Sequence, residues 1–259
     1  MAVDIQHKNN VDAAALGFSY QMAGRAFSDP NDPMFLVDSP MDDSADGLEL
    51  AELSPEWKVV LESWFELQET ALSTPERENI RAEYTRLFLT GLVCPHHESD
   101  YLGESVFRKS DLVADLSGFY SAFGLNLAPS AKMQADYIGT ELEYAGVLAL
   151  KELFARRTGK ADEAEICRSA RKKFLQDHLG RWAGAFCRKL MEQSESPFYQ
   201  ELAEAVEKTV AHDCALVGAE PAFVPPAPFS FPVEAEPRDC SVGDCACSCS
   251  QDREGGAQV

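Results

Sequence analysis

The sequence predicts an all-α fold: a single globular bundle of about eight to ten helices, followed by a flexible Pro- and Cys-rich C-terminal tail. Three observations carry that reading. Bulky residues at 174, 175, 178, 179, 182 and 186 fall on one face of a helix, and Phe198, Leu202, Ala205, Val206 and Val210 continue as a second stripe after Ser196-Pro197. No run of residues alternates apolar and polar with the period of a strand. Ser-Pro and Ser-Thr-Pro pairs recur ahead of apolar stripes, where serine suits the cap and proline the first helical turn.

Val11 to Phe27 carries apolar residues at 11, 15, 18, 22 and 23, and Asp29-Pro-Asn-Asp-Pro33 breaks the helix. Residues 38–53 are acidic and short of bulky side chains, which predicts a mobile loop with short helical turns. Ser54-Pro55 opens a helix with the stripe Trp57, Val60, Leu61, Trp64, Phe65, Gln68, Ala71 and Leu72. Ser73-Thr74-Pro75-Glu76 starts the next, which runs to Leu89, with Gly91 suited to its left-handed termination. Leu92 to Glu104 reads as a loop. Ser110 or Asp111 opens a helix with Val113, Leu116, Phe119, Tyr120 and Phe123 inward and Gly124 at its end. Pro129-Ser130 is read as the start of a helix from Ala131 to about Arg157, and a basic helix from Lys160 to Glu192 follows. Six of the 14 prolines lie between Pro221 and Pro237, which favours extended chain. The expected division is a helical domain over 1–213 and a linker and tail over 214–259.

Composition narrows the function. A net charge of −20 argues against nucleic acid and favours solubility and a basic partner. The acid is uneven: Ser28 to Trp57 holds nine Asp or Glu and no Lys or Arg, while Lys160 to Glu192 carries eight of the 23 basic residues. No apolar run approaches the ~20 residues that span a bilayer. Met1 to Asn10 lacks an apolar stretch, so the cytoplasm is the expected location.

Three groups of residues carry candidate chemistry. Tyr84, Leu87 and Phe88 have core periodicity, but the following loop, Pro95-His-His97-Glu-Ser99-Asp-Tyr101, is a poor packing unit and a plausible recognition edge. On the predicted helix from Ala131, Asp136 and Glu143 share one face, and Tyr137, Glu141 and Tyr144 an adjoining one. The plainer reading is a solvated acidic face edged by tyrosines. Paired carboxylates also serve acid–base catalysis, but nothing beside them supplies a nucleophile, phosphate loop or metal motif, so no catalytic residue is assigned. Finally Cys240, Cys245, Cys247 and Cys249 place four thiols in ten residues. They suit a soft metal or an iron–sulfur cluster; the plainer reading is a reduced, unliganded tail. His178, on an otherwise apolar face, reads as a satisfied core histidine.

The run His178-Leu-Gly-Arg-Trp182-Ala-Gly-Ala-Phe186 with Pro197-Phe-Tyr199, the segment Tyr84-Thr-Arg86-Leu87-Phe88-Leu-Thr-Gly91 with its loop to Tyr101, and Asp136-Tyr137 with Glu141-Leu-Glu143-Tyr144 occur here in one order. Together they resemble the TorD/DmsD/NarJ family of cytoplasmic molybdoenzyme maturation chaperones, over roughly residues 11 to 212. The resemblance implies a non-enzymatic, system-specific chaperone. It would bind the apo catalytic subunit of a molybdenum oxidoreductase through its N-terminal twin-arginine signal peptide and assist cofactor insertion before export. The implied client-binding residues are Tyr84, Leu87, Phe88, Pro95, His97, Ser99, Tyr101, Asp136, Tyr137, Glu141 and Tyr144. Tyr137 stands where the family usually has histidine, and His97 where it has an aromatic. A monomer or a helix-swapped dimer is expected, with no nucleic acid partner and no membrane span. The alternative is a metal or iron–sulfur carrier whose chemistry resides in the tail cysteines; the family lends that no support.

Overall fold

A computed structural model describes residues 2–32, 35–36, 54–90, 93–101, 106–127 and 135–223. The predicted acidic loop over 38–53 and the tail beyond 223, with Cys240, Cys245, Cys247 and Cys249, lie outside the described residues.

Among the described residues, helices make up most of the chain and no strand forms. The helices are α1 (Ala2–Ala26), α2 (Pro55–Leu72), α3 (Thr74–Tyr84), α4 (Val106–Ala122), α5 (Ile138–Arg157), α6 (Ala161–Asp177), α7 (Leu179–Gln193) and α8 (Pro197–Val217). The all-α reading holds, and the Ser54-Pro55, Ser73-Thr74-Pro75 and Ser196-Pro197 signals each open a helix. The serines sit at the caps in extended backbone, but none makes a side-chain capping hydrogen bond.

Four expectations need correction. The helix ending in Arg157 starts at Ile138, not near Ala131, so Asp136 and Tyr137 precede it and Tyr137 is its cap. Asp136 and Glu143 therefore do not share a helical face. The helix carrying Phe119 begins at Val106, one turn before Ser110. The basic helix is two helices, broken at His178, whose backbone sits at φ −127 and ψ −103. Gly180 explains the break: a Cβ there would lie 2.4 Å from the Leu175 carbonyl oxygen, so the corner closes only over a hydrogen atom. Helix α3 ends at Tyr84, and the next five residues, Thr85–Leu89, form a π-turn. One extra residue per turn of this kind recurs at functional sites.

The core is built on α1 against α5, with α6, α7 and α8 wrapped around that pair. Close approach is set by glycine: a Cβ on Gly24 would meet the Glu143 side chain at 2.5 Å and the Gly139 carbonyl at 3.0 Å. Trp57, Trp64, Trp182, Phe27, Phe174 and Phe186 are fully buried around this centre. Leu72, expected on the inward stripe of α2, is 52% exposed at its last turn.

An ionic strut crosses the same core. Arg171 of α6 contacts Glu152 of α5 at 3.0 Å and Asp213 of α8 at 3.2 Å, and Tyr20 of α1 donates to Asp213 at 2.9 Å. Burial raises the Asp213 pKa, and Arg171 and Tyr20 oppose it. Arg156 pairs with Glu152 from one turn along α5. Four helices are thus joined by groups that are costly to bury singly. Helix α8 runs four residues past Asp213, and Ala219 packs into the core beyond it.

Candidate functional site

The site forms where two irregular segments meet in front of α7. The loop 95–101 and the residues before α5 are stitched by backbone: Glu98 N–H donates to the Asp136 carbonyl at 2.8 Å, and Ile138 N–H to the His96 carbonyl at 3.0 Å. This makes an isolated antiparallel bridge between His97 and Tyr137. The π-turn lies against the loop, with Cys94 N–H donating to the Leu87 carbonyl at 3.0 Å. Glu83 fastens the turn. Its carboxylate accepts from Arg86 Nε and Nη2, both at 2.7 Å, from Glu195 N–H at 2.7 Å and from Ser194 Oγ at 3.0 Å. Burial alone would raise the Glu83 pKa, but these donors outweigh it and hold the carboxyl below its ordinary value.

An aromatic chain runs through this junction. Phe88 has ring centroids 5.3 Å from Tyr84, 5.3 Å from His96 and 5.8 Å from Tyr199. His96 continues to Tyr137 at 5.4 Å and to His97 at 4.6 Å. Tyr137 donates its hydroxyl to the Phe27 carbonyl, and Tyr101 donates to the Pro95 carbonyl at 2.9 Å while lying 5.2 Å from Trp182. Burial pushes the His96 pKa down to about 4, helped by His97. His97 is also lowered, burial first, with Asp136 and Asp100 pulling the other way.

Behind the aromatics lie three fully buried carboxyl groups, Glu98, Asp136 and Glu141. Trp182 Nε1–H donates to Glu141 Oε2 at 3.1 Å, and His178 Nδ1 lies 3.1 Å from Glu98 Oε2. Each glutamate has one remaining oxygen with no donor, and neither Asp136 oxygen has one. Burial, then the neighbouring Glu98 charge, raises the Glu141 pKa well above normal. Burial also raises Glu98, against the pull of His178. Asp136 keeps two acceptors that nothing fills.

The predicted residues therefore divide. Tyr84, His97 and Ser99 are half-buried and form a rim. Leu87, Phe88, Pro95, Tyr101, Asp136, Tyr137 and Glu141 are buried beneath or beside it. Tyr144 belongs elsewhere: it packs on Tyr120 and Phe174 and donates to the Phe119 carbonyl at 2.9 Å. Sequence reasoning passed over Glu98 and the partners of His178. Glu98 stands inside the quoted loop motif, but its pairing across 80 residues leaves no local trace. His178 is buried as expected, hydrogen-bonded through Nδ1 to Glu98 but with no hydrogen bond at Nε2, and it stands at a helix corner instead of mid-helix. Among the described residues, no group of three or more His, Cys, Asp or Glu is placed to hold a metal ion.

This geometry can receive a cationic or donor-rich group behind an aromatic rim; it shows no nucleophile poised for chemistry. Comparison with known proteins agrees on the class. The family model for the nitrate reductase delta subunit matches residues 51–188, which includes the π-turn, the loop, the α5 entry and the His178 corner. The chain belongs to that family. A selenate reductase assembly chaperone protein from Thauera selenatis is 32% identical over 152 residues, covering 56% of this chain and 77% of the relative. The nitrate reductase delta family is of the NarJ/TorD chaperone type, as the resemblance implied, so this member is a molybdoenzyme assembly chaperone and not an enzyme. No helix among its described residues is long and apolar enough to cross a membrane.

Proposed function

We propose that this chaperone acts in the cytoplasm on the apo catalytic subunit of a molybdenum oxidoreductase, binding the subunit's N-terminal twin-arginine signal peptide until the cofactor is inserted. One observation carries the reading: Asp136, held by the 98–136 backbone bond, presents two buried, unfilled acceptors beside an aromatic rim. A guanidinium supplies paired donors for such a carboxylate, and the apolar stretch after the arginines suits the rim of Tyr84 and His97. Binding through a few anchors gives the moderate, reversible affinity that client release needs.

Calorimetry with a synthetic twin-arginine peptide tests this. Asp136→Asn should weaken binding by about 1–3 kcal/mol, because the charged partner is lost while the shape is kept. Unchanged affinity in a folded variant would sink the assignment. Replacing Cys245, Cys247 and Cys249 by serine should leave the same affinity intact; a loss of bound metal together with client binding would instead favour the carrier reading.

A further inference from the structure

Helix α4 lies beside the buried carboxyl groups, and its outer face meets the α6–α7 corner through Asp115 and Phe119. His178 reaches inward with Nδ1 to Glu98 at 3.1 Å and outward with Nε2 to Asp115 of α4 at 3.2 Å. The inner contact is a hydrogen bond, while the outer one is an ion-pair approach in which Nε2 makes no hydrogen bond. The ring itself is fixed. It sits at the α6–α7 corner, 2% exposed, clasped by Phe174 at 5.7 Å and by Phe119 of α4 at 5.2 Å. Asp115, by contrast, has a side chain 65% exposed. The other charges around the ring are Arg181 of α7, which also acts on Glu98, and the Lys173–Asp177 pair of α6.

On its inner side α4 covers the site directly. Tyr120 donates to the Ala135 carbonyl at 2.6 Å, next to Asp136, and Phe119 accepts from Tyr144. On its outer side α4 is not sealed against the corner. A polar cleft of about 450 Å³ opens there, lined by Leu112 and Asp115 of α4 and by Gln176, His178, Arg181 and Glu220. Most of α4 faces solvent, and its hold on the rest of the protein rests on Leu116, Tyr120 and the half-buried residues beside them at its inner face and on Asp115 and Phe119 at the corner.

We propose that α4 is a movable cover over the Glu98–Asp136–Glu141 group and that the His178–Asp115 contact is its latch. With the latch engaged, the carboxyl groups are closed to water. With it released, α4 lifts and Asp136 becomes reachable from solvent. The role as a cover rests on the client-binding reading; the latch does not.

Hydrogen exchange on the full chain, read by mass spectrometry, separates the two. Asp115→Ala should speed exchange of α4 amides roughly three- to tenfold while α5 and α8 stay unchanged, and Asp115→Arg should speed them further. Asp111→Ala, an exposed change on the same helix, should leave α4 alone. Unaltered α4 exchange in Asp115→Ala, or an even rise across α4, α5 and α8, would overturn the latch. A twin-arginine peptide should then associate faster with Asp115→Ala than with the parent chain, and an equal association rate would overturn the cover. The exchange measurement contains no peptide, so it decides the latch even where the client reading fails.

Discussion

Single residues in this protein show how position outranks residue type. Glu98 and Asp100 are two residues apart in one loop, yet the first is fully buried between His178 and Glu141 and the second faces solvent near His97. His96 and His97 are adjacent, and burial lowers both, His96 to about 4. A histidine whose folded value is depressed supports the fold fully above the unfolded value near 6.5 and loses that support as pH falls toward 4. Thermal unfolding should therefore show stability declining from pH 6.5 to 4 by about 2 kcal/mol from His96, allowing for its partial exposure. His96→Gln should flatten that slope; an unchanged slope would assign the acid sensitivity to other groups. In the sequence, Tyr84, the 95–101 loop and Asp136 were legible as one unit only through the order of motifs that resembles the family's. Spacing alone placed Asp136 on a helix it does not occupy, because Pro129-Ser130 is a good start signal and the burial of Asp136 before Ile138 is a tertiary event.

Elements were readable where local chemistry sets them. Ser-Pro starts and the end of α4 at Gly124, whose φ is 76°, need no partner to be recognised. The π-turn and the α6–α7 corner were not readable, since both depend on what packs against them. The corner needs Gly180 over the Leu175 carbonyl, inside a run whose bulky residues keep helical spacing throughout. The π-turn needs Glu83 to gather donors from Arg86, Ser194 and Glu195, more than a hundred residues away for the last two. Glu83→Ala should cost about 2–3 kcal/mol by chemical denaturation, because Arg86 and the 194–195 turn lose a charged acceptor. It should also weaken a twin-arginine peptide, since Tyr84 and Phe88 ride on that turn. Lost stability with full peptide affinity would show that the turn holds the fold alone and does not shape the site.

At the scale of the whole molecule, the helical body forms one compact unit over Met1–Ala227. Ending the chain after Ala227 keeps every buried residue named above and should leave the melting temperature of the helical body unchanged within about 2 °C. A fall of several degrees by calorimetry would mean that later residues brace the bundle. The strut of Tyr20, Asp213, Arg171 and Glu152 bears on association as well. Leucine and alanine surfaces tolerate sliding, whereas a guanidinium held by two carboxylates accepts one register only. Were α8 to leave its own bundle and enter a second copy, Arg171 would be stranded without Asp213 until the neighbour's α8 arrived in return. Exchange of that helix is therefore a reciprocal trade or no trade at all.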